Sequence, residues 1–302
     1  MTERVRVGTR RSPLARAQAG SVLSRLGRAH PGVRFEPVLI DTSGDRDRST
    51  GGSPDFTDAI DRRLLRGEID LAVHSAKDLP AELDRRLEIL ACPRRADPRD
   101  CLVAGRIPRA RLPRGARVGS SSLRRRAQLL RWRADLRVVE IRGNVDTRIG
   151  WVRSGSIDAA ILAVAGLARL GRTGDVDRIL PTSKFLPAPA QGALAVVGRS
   201  GDSPLAGMLR GIDHAPTRRC VEAERAFAAA LGGDCRLPLG ALAVASGRTV
   251  SLVGEVLSPD GRRRLRRRRP GPAAEAGATG TRLGREMLDH GALELMAAGR
   301  GA

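Results

Sequence analysis

The chain has 302 residues, with 54 Lys+Arg against 33 Asp+Glu and a formal net charge of +21. Its length suggests two or three domains with ample hydrophobic core, and a hydrophobic content of 41% argues against wholesale disorder. No apolar run reaches the roughly 18 residues that a membrane span needs, so we expect no membrane partner.

Strand-like and helix-like stretches alternate through the first two-thirds of the chain. Residues 5–9 predict a strand, and Ser12-Pro13 predicts the start of a helix, with Ser as the N-cap and Pro in the first turn. Helices are also predicted to open at Ser120 to Ser122 and at Gly166. Further strands are predicted at residues 33–41, 69–73, 87–92, 116–119, 137–141 and 157–164. This alternation favours mostly parallel sheets with helices on both faces.

The last third of the chain has a different pattern. An amphipathic helix is predicted over residues 215–231, followed by two antiparallel strands over 239–244 and 249–257. The arginine run 262–269 is expected on a hairpin, and one helix over 281–298 is expected to close the chain. This pattern predicts a small α+β module of about 85 residues.

Polar residues gather where predicted strands end and helices begin, which is where open α/β sheets bind ligands. Four such clusters occur, at residues 9–12, 74–78, 120–126 and 142–148. Each cluster alone is explained by helix caps and solvated arginines. Four clusters at equivalent positions instead favour a site for carboxylates or phosphates, because helix N-termini and arginines both attract anions.

The four cysteines are Cys92, Cys101, Cys220 and Cys235, and their spacing contains no CxxC pair or metal-ligand pattern. We therefore expect no metal site. Three of them are expected to be small core residues. Cys235 lies in the glycine-containing loop 231–238, where a thiol can be presented to a ligand.

The sequence resembles the hydroxymethylbilane synthase (porphobilinogen deaminase) family over nearly its whole length. The stretches that follow the family pattern, in the family's order, are 9–15, 72–78, 97–100, 119–125, 142–145, 161–171, 191–193 and the Cys235 loop. The resemblance implies an α/β fold of two doubly wound, periplasmic-binding-protein-like (type II) domains and a small α+β C-terminal domain. The expected boundaries are 1–93 with 194–212 for the first domain, 98–188 for the second and 215–302 for the third.

The resemblance also implies an activity. Enzymes of this family join four porphobilinogen molecules head to tail and release ammonia, in porphyrin and haem biosynthesis. They carry a dipyrromethane cofactor, thioether-linked to one cysteine, which by loop position is Cys235 here. Asp78 is the expected catalytic carboxylate, since it can accept the pyrrole N–H and stabilise the cationic azafulvene that ammonia leaves behind. Its alternative role is that of a helix N-terminal residue favoured by the helix dipole.

Porphobilinogen carries an acetate and a propionate, so the family's cationic residues are expected to bind carboxylates. The matching positions here are Arg10, Ser12, Lys77, Ser121, Ser122, Arg124, Arg125, Arg142, Arg148 and Arg169. In the family's mobile lid segment, aligned with residues 53–60, Phe56 is the residue that clearly persists. The chain departs from the family pattern along this lid, at Asp234 before the cofactor cysteine, at Ala76 and at Ala190.

Three alternatives remain open from the sequence. A divergent paralogue could bind an anionic tetrapyrrole or other polycarboxylate without completing synthesis. A solute receptor of the same fold is a second, disfavoured by Cys235 and by the lack of an apolar secretion segment at the N-terminus. Nucleic-acid binding is the third, disfavoured by an aromatic content of 2%. We expect a cytoplasmic monomer with porphobilinogen as its small-molecule partner and no nucleic-acid partner.

Overall fold

The computed structural model describes residues 3–42, 57–105, 112–233 and 237–297. The strands are β1 (Glu3–Arg10), β2 (Val33–Ile40), β3 (Leu71–Ser75), β4 (Leu87–Ala91), β5 (Asp100–Val103), β6 (Arg117–Gly119), β7 (Arg137–Val139), β8 (Ala159–Ala163), β9 (Arg178–Ile179), β10 (Leu194–Arg199), β11 (Leu239–Ser246), β12 (Thr249–Leu257) and β13 (Arg264–Pro272). The α-helices are α1 (Pro13–Ala29), α2 (Asp58–Leu65), α3 (Leu123–Trp132), α4 (Val145–Arg153), α5 (Val164–Arg169), α6 (Ser203–Leu209), α7 (Ala215–Ala230), α8 (Ala276–Asp289) and α9 (Ala292–Ala297). Short 3₁₀ turns span Ala76–Asp78, Thr173–Asp175 and Ala273–Glu275.

The chain divides into two compact units. Unit 1 comprises residues 1–96 and 193–218, and unit 2 comprises residues 97–192 and 219–302. The predicted division into three domains stays a prediction.

Unit 1 is built on a five-stranded sheet with the order β2-β1-β3-β10-β4. Strands β1 and β2 are parallel, as are β1 and β3, whereas β10 runs antiparallel to both of its neighbours. Four strands therefore share one direction, as the β–α alternation predicted. The carboxyl ends of β1 and β3 consequently lie at the same edge of the sheet.

Unit 2 contains a second five-stranded sheet, with the order β7-β6-β8-β5-β9. Strand β6 is parallel to β7 and to β8, and β5 is antiparallel to β8 and β9. The arrangement repeats that of unit 1, with one reversed strand in fourth place. The carboxyl ends of β7, β6 and β8 therefore lie side by side.

The remainder of unit 2 is an antiparallel sheet of β11, β12 and β13. Its core includes Phe227 of α7 and Leu283 and Met287 of α8, all fully buried. The arginine run lies largely on β13, which pairs with β12 as the expected hairpin. The two α/β sheets and this α+β region confirm the predicted fold class.

The expected closing helix over 281–298 is wrong in its bounds. The structure has α8 over Ala276–Asp289 and a separate α9 over Ala292–Ala297. Gly291 interrupts them with φ +83°, a left-handed conformation that an α-helix cannot contain and that glycine adopts readily. No helix among the described residues is long and apolar enough to cross a membrane.

Candidate active site

In unit 1, the predicted site residues follow β1 and β3. Arg10 is the last residue of β1, and Ser12 caps α1, where its Oγ accepts from the Ala15 N–H at 3.3 Å. Lys77 and Asp78 lie in the 3₁₀ turn that begins directly after β3. Since β1 and β3 are parallel neighbours, these four residues lie at one edge of the sheet.

Asp78 is half-buried, and the turn that carries it is held in place at its first residue. The Ala76 N–H donates to the Ala193 carbonyl at 3.0 Å. Just before it, the Ser75 Oγ accepts from the buried Gln18 amide at 2.6 Å. The carboxylate of Asp78 is therefore presented on a fixed turn rather than on a long loop.

His74 precedes this turn and is buried against Asp61, with 3.7 Å between Nε2 and Oδ1. Burial lowers the pKa of His74 to about 4, and the positive charge of Arg10 acts in the same direction. The imidazole is therefore neutral above that pH. The positive charge of this part of the site comes from Arg10 and Lys77 rather than from His74.

In unit 2, the predicted site residues follow three adjacent parallel strands. Ser121 and Ser122 come after β6, Arg142 comes after β7, and Arg169 ends the helix that follows β8. Ser122 caps α3, where its Oγ accepts from the Arg125 N–H at 3.4 Å, and Ser121 is exposed. The strand order brings these residues to one edge of the sheet.

Arg124 and Arg125 are both buried, and both pair with the fully buried Asp100 of β5. Arg124 Nη1 donates to Asp100 Oδ2 at 2.8 Å, and Arg125 Nη2 donates to Oδ1 at 2.7 Å. Arg125 Nη1 also donates to the Ile161 carbonyl at 3.1 Å. Both guanidinium groups are thus held by the interior of unit 2.

The two arginines share one carboxylate, so this cluster keeps a net positive charge. Burial raises the pKa of Asp100, but the charges of Arg124 and Arg125 outweigh burial and hold it well below its ordinary value. Asp100 is therefore ionised at neutral pH. Arg124 Nε is buried with no hydrogen-bond partner among the described residues. An anionic ligand group would satisfy both the excess charge and the unpaired N–H.

Arg148 and Arg142 flank a sharp turn at the start of α4. Gly143 has φ +101°, and a Cβ there would lie 2.8 Å from Thr147 Cγ2, so glycine is required at this turn. Arg148 Nε donates to the Gly143 carbonyl at 2.9 Å. Burial lowers the pKa of Arg148 to about 10, and the charge of Arg125 acts in the same direction. Arg148 is cationic at neutral pH, and a bound anion would relieve the repulsion between its charge and that of Arg125.

Arg169 is bound to the segment that leaves unit 2. Its Nη2 donates to the Gly192 carbonyl at 2.7 Å, and burial lowers its pKa to about 10. The adjacent Gln191 side chain donates from Nε2 to Asp100 Oδ1 at 2.9 Å and to the Pro98 carbonyl at 2.7 Å. The same segment therefore binds Arg169 and Asp100, the carboxylate that Arg124 and Arg125 share.

The structure thus groups the predicted residues on two sheet edges. Arg10, Ser12, Lys77 and Asp78 lie at the sheet edge of unit 1, whereas the other predicted carboxylate ligands lie at the sheet edge of unit 2.

Cys235 and Phe56 lie outside the described residues. Cys92, Cys101 and Cys220 are buried, and burial raises the pKa of Cys101 to about 12, which makes that thiol unreactive.

Sequence reasoning assigned no role to Asp100, Gln191 or Gln128, although the first two lie in the stretches 97–100 and 191–193 that carry the resemblance. In the sequence they are polar residues near arginine-rich strand ends, and only the structure shows that they are buried. Among the described residues, no group of three or more His, Cys, Asp or Glu side chains is arranged to hold a metal ion.

Two family models match the chain. The model described as porphobilinogen deaminase, dipyromethane cofactor binding domain, matches residues 5–206, and that described as porphobilinogen deaminase, C-terminal domain, matches residues 218–289. Among curated proteins, the porphobilinogen deaminase of Stenotrophomonas maltophilia (strain R551-3) is 45% identical over 97% of this chain and 99% of that protein. The porphobilinogen deaminase of Thermus thermophilus is 44% identical over 96% of this chain and 97% of that protein.

Among solved structures, the chain is similar to the periplasmic aliphatic sulphonate binding protein of Escherichia coli. It is 16% identical, with a TM-score of 0.41, over 76% of this chain and 70% of that one. The Bordetella pertussis BvgS periplasmic VFT2 domain is 19% identical, with a TM-score of 0.42, over 70% of this chain and 86% of that one.

Proposed function

The chain belongs to the porphobilinogen deaminase family, and we propose that Asp78 is its catalytic carboxylate and that the two basic groups bind carboxylates. It is a transferase of tetrapyrrole synthesis that deaminates four porphobilinogen molecules and joins them into the linear tetrapyrrole hydroxymethylbilane on a dipyrromethane cofactor. The proposed catalytic carboxylate lies at the sheet edge of unit 1. Most of the proposed carboxylate-binding residues lie at the sheet edge of unit 2.

One observation carries the assignment of the carboxylate-binding residues: Arg124 and Arg125 share a single buried carboxylate, Asp100. The excess positive charge lies on the sheet edge that also presents Arg148 and Arg169. Each porphobilinogen adds two carboxylates, and forked guanidinium groups bind carboxylates with two parallel hydrogen bonds. Arg142, Ser121 and Ser122 supply further donors, and Arg10, Ser12 and Lys77 do so on unit 1.

Asp78 has the chemistry that deamination requires. Loss of ammonia from the aminomethyl group leaves a cationic methylene pyrrole, which a nearby negative charge stabilises. A carboxylate oxygen of Asp78 accepts the pyrrole N–H and can take up the proton that the reacting pyrrole carbon releases after bond formation. Arg10 and Lys77 lie at the same sheet edge, so Asp78 works beside donors that orient the substrate's carboxylates.

The unit 2 residues fit a bound dipyrromethane cofactor, since its carboxylates would neutralise the charge shared by Arg124, Arg125 and Arg148 and satisfy the unpaired Arg124 Nε. When bound, the cofactor supplies the terminal pyrrole carbon to which the first substrate pyrrole is joined. Cys235 is the proposed attachment residue, because its position in the chain matches the family's cofactor cysteine and the other three thiols are buried.

We propose that the enzyme is a cytoplasmic monomer without a nucleic-acid partner. Several of its arginines bind groups of the chain itself, which offsets part of their charge. In the arginine run, for example, Arg266 binds two backbone carbonyls and Glu255, and Arg269 binds Glu286. Phe56 remains the proposed lid residue.

Intact-mass measurement tests the assignment of Cys235 in protein expressed in a host that makes porphobilinogen. We expect a covalent adduct of two pyrrole units that is lost in Cys235→Ala and retained in Cys220→Ala, the control thiol. Purified protein should release ammonia from porphobilinogen and form hydroxymethylbilane. An unmodified wild-type mass without bilane formation would overturn the proposal, and an adduct without turnover would indicate a binding protein.

A further inference from the structure

A buried polar chain connects Arg124 to the antiparallel sheet of unit 2. Arg124 Nη1 donates to Gln128 Oε1 at 2.9 Å, and Gln128 Nε2 donates to Glu255 Oε1 of β12 at 2.9 Å. Both Gln128 and Glu255 are 1% exposed. The Leu186 carbonyl accepts from Arg124 Nη1 at 2.8 Å and from Gln128 Nε2 at 2.9 Å, which closes the network.

The orientation of the Gln128 amide follows from its two neighbours. A guanidinium can only donate hydrogen bonds, and an ionised carboxylate can only accept them. The amide therefore turns its oxygen to Arg124 and its nitrogen to Glu255. Glu255 carries no other hydrogen bond to α3 among the described residues, so the hydrogen bonds that link it to Arg124 pass through Gln128, while its charge also acts on Arg124 directly.

Glu255 is itself held from the other side by the arginine run. Its Oε2 lies 3.2 Å from Arg266 Nη1 and 3.7 Å from Arg264 Nη1. Arg266 is fixed in turn by the carbonyls of Ser183 at 2.7 Å and Thr182 at 3.0 Å. Arg264 and Arg266 of the run therefore both pair with the buried carboxylate of Glu255.

We propose that Glu255, acting through the side-chain amide of Gln128, is a positioning residue that fixes the Arg124 guanidinium for carboxylate binding. The contacts to Asp100, Gln128 and Leu186 all converge on Nη1, so they set the plane of the guanidinium and hence the direction of its unpaired Nε. Burial lowers the pKa of Arg124, and the negative charges of Asp100 and Glu255 oppose this effect. The inference rests on the proposed carboxylate-binding function of Arg124.

A graded series of variants tests the proposal. Gln128→Met removes the amide, Glu255→Leu removes the carboxylate that orients it, and Glu255→Gln keeps an acceptor for Gln128. We expect Gln128→Met to raise the KM for porphobilinogen about tenfold and Glu255→Leu about threefold to tenfold, with kcat within about twofold. Glu255→Gln should recover most of the wild-type KM.

Arg266→Met is the matched control, because it weakens the ion pair of Glu255 but leaves the bond between Gln128 and Glu255 intact. It should lower the melting temperature with little change in KM. The fraction of protein that carries the two-pyrrole adduct, measured by intact mass under limiting porphobilinogen, should fall in the same order as KM rises.

Two results would overturn the inference: an unchanged KM in Glu255→Leu, or equal KM increases in Arg266→Met and Glu255→Leu. Wild-type protein that forms neither adduct nor bilane would instead contradict the proposed function itself. Should Gln128→Met fail to fold, the comparison of Glu255→Leu, Glu255→Gln and Arg266→Met decides the question by itself.

Discussion

The side chains of Asp100 and Arg125 form an ion pair in the interior of unit 2, in which a single carboxylate oxygen, Oδ1, accepts from Nε at 3.1 Å and from Nη2 at 2.7 Å. The other carboxylate oxygen binds Arg124. Asp100 thus neutralises one of two buried guanidinium charges and fixes the geometry of both. Its loss would leave Arg124 and Arg125 without the carboxylate that both bind directly, in a poorly solvated interior.

Asp100→Asn should therefore lower the free energy of unfolding by about 3 kcal/mol or more at pH 7. Because the folded protein holds the pKa of Asp100 below its unfolded value, this stabilisation is complete above about pH 5, begins to be lost as the pH falls below the unfolded value near 4, and disappears only below the lower pKa of the folded protein. Urea unfolding at pH 7 and pH 3 measures both effects. The difference between wild type and Asp100→Asn should shrink at pH 3, and a constant difference would contradict this account.

Glu275→Gln provides the surface control for that experiment. Glu275 pairs with Arg282 at 3.0 Å with both side chains about half exposed, so its loss should change stability by less than about 1 kcal/mol.

Much of the fold could be predicted from local sequence patterns. The N-cap at Ser12 followed by proline predicted the start of α1, and the apolar stretch before His74 predicted β3 to within two residues. Strand β10 was missed, because its pairing partners β3 and β4 lie more than a hundred residues earlier in the chain. Local periodicity carries no information about such distant pairings.

The candidate site shows the same limit. The motifs and the family resemblance predicted roles for Asp78 and the arginines, since charged residues at strand ends stand out in a sequence. They did not reveal that Asp100 on β5 binds both buried arginines. Nor did they reveal that Glu255 on β12 binds Gln128, because 127 residues separate the two in the chain. Only the packing of α3 between its neighbours makes that relationship visible.

Asp78→Asn should lower kcat by at least about 100-fold, the usual contribution of a positioned acid or base. The substituted side chain keeps the size and one acceptor oxygen of Asp78 but loses the charge that stabilises the cationic pyrrole. Ammonia release and bilane formation measure the rate, and circular dichroism checks the fold. Asp84→Asn, an exposed position in the same unit, is the control and should keep the wild-type rate. Near-normal turnover in Asp78→Asn would refute the assignment.

Arg148→Gln should raise the KM for porphobilinogen about tenfold, because it removes a cation near Arg125 that we propose binds a carboxylate. The matched control lies on the same helix. Arg153 pairs with Asp175 at 2.8 Å and is largely exposed, so Arg153→Gln should leave KM unchanged. Steady-state kinetics at two salt concentrations separate this local effect from general electrostatic attraction, which salt screens in both variants alike. Equal KM values for the two variants would contradict a binding role for Arg148.

Ala190→Gly should stabilise the protein by about 0.5–1 kcal/mol, because a left-handed conformation is costly for alanine and not for glycine. Ala190 has φ +58°, and its N–H donates to the buried Glu224 Oε2 at 2.6 Å, which holds this conformation in place. Ala188→Gly, two residues earlier at a position without positive φ, should instead destabilise the protein by up to about 1 kcal/mol, since glycine gains freedom in the unfolded chain. Urea unfolding of both variants measures the change in the free energy of unfolding, which should be positive for Ala190→Gly and negative for Ala188→Gly. Destabilisation by both would show that Ala190 is not strained in the folded protein.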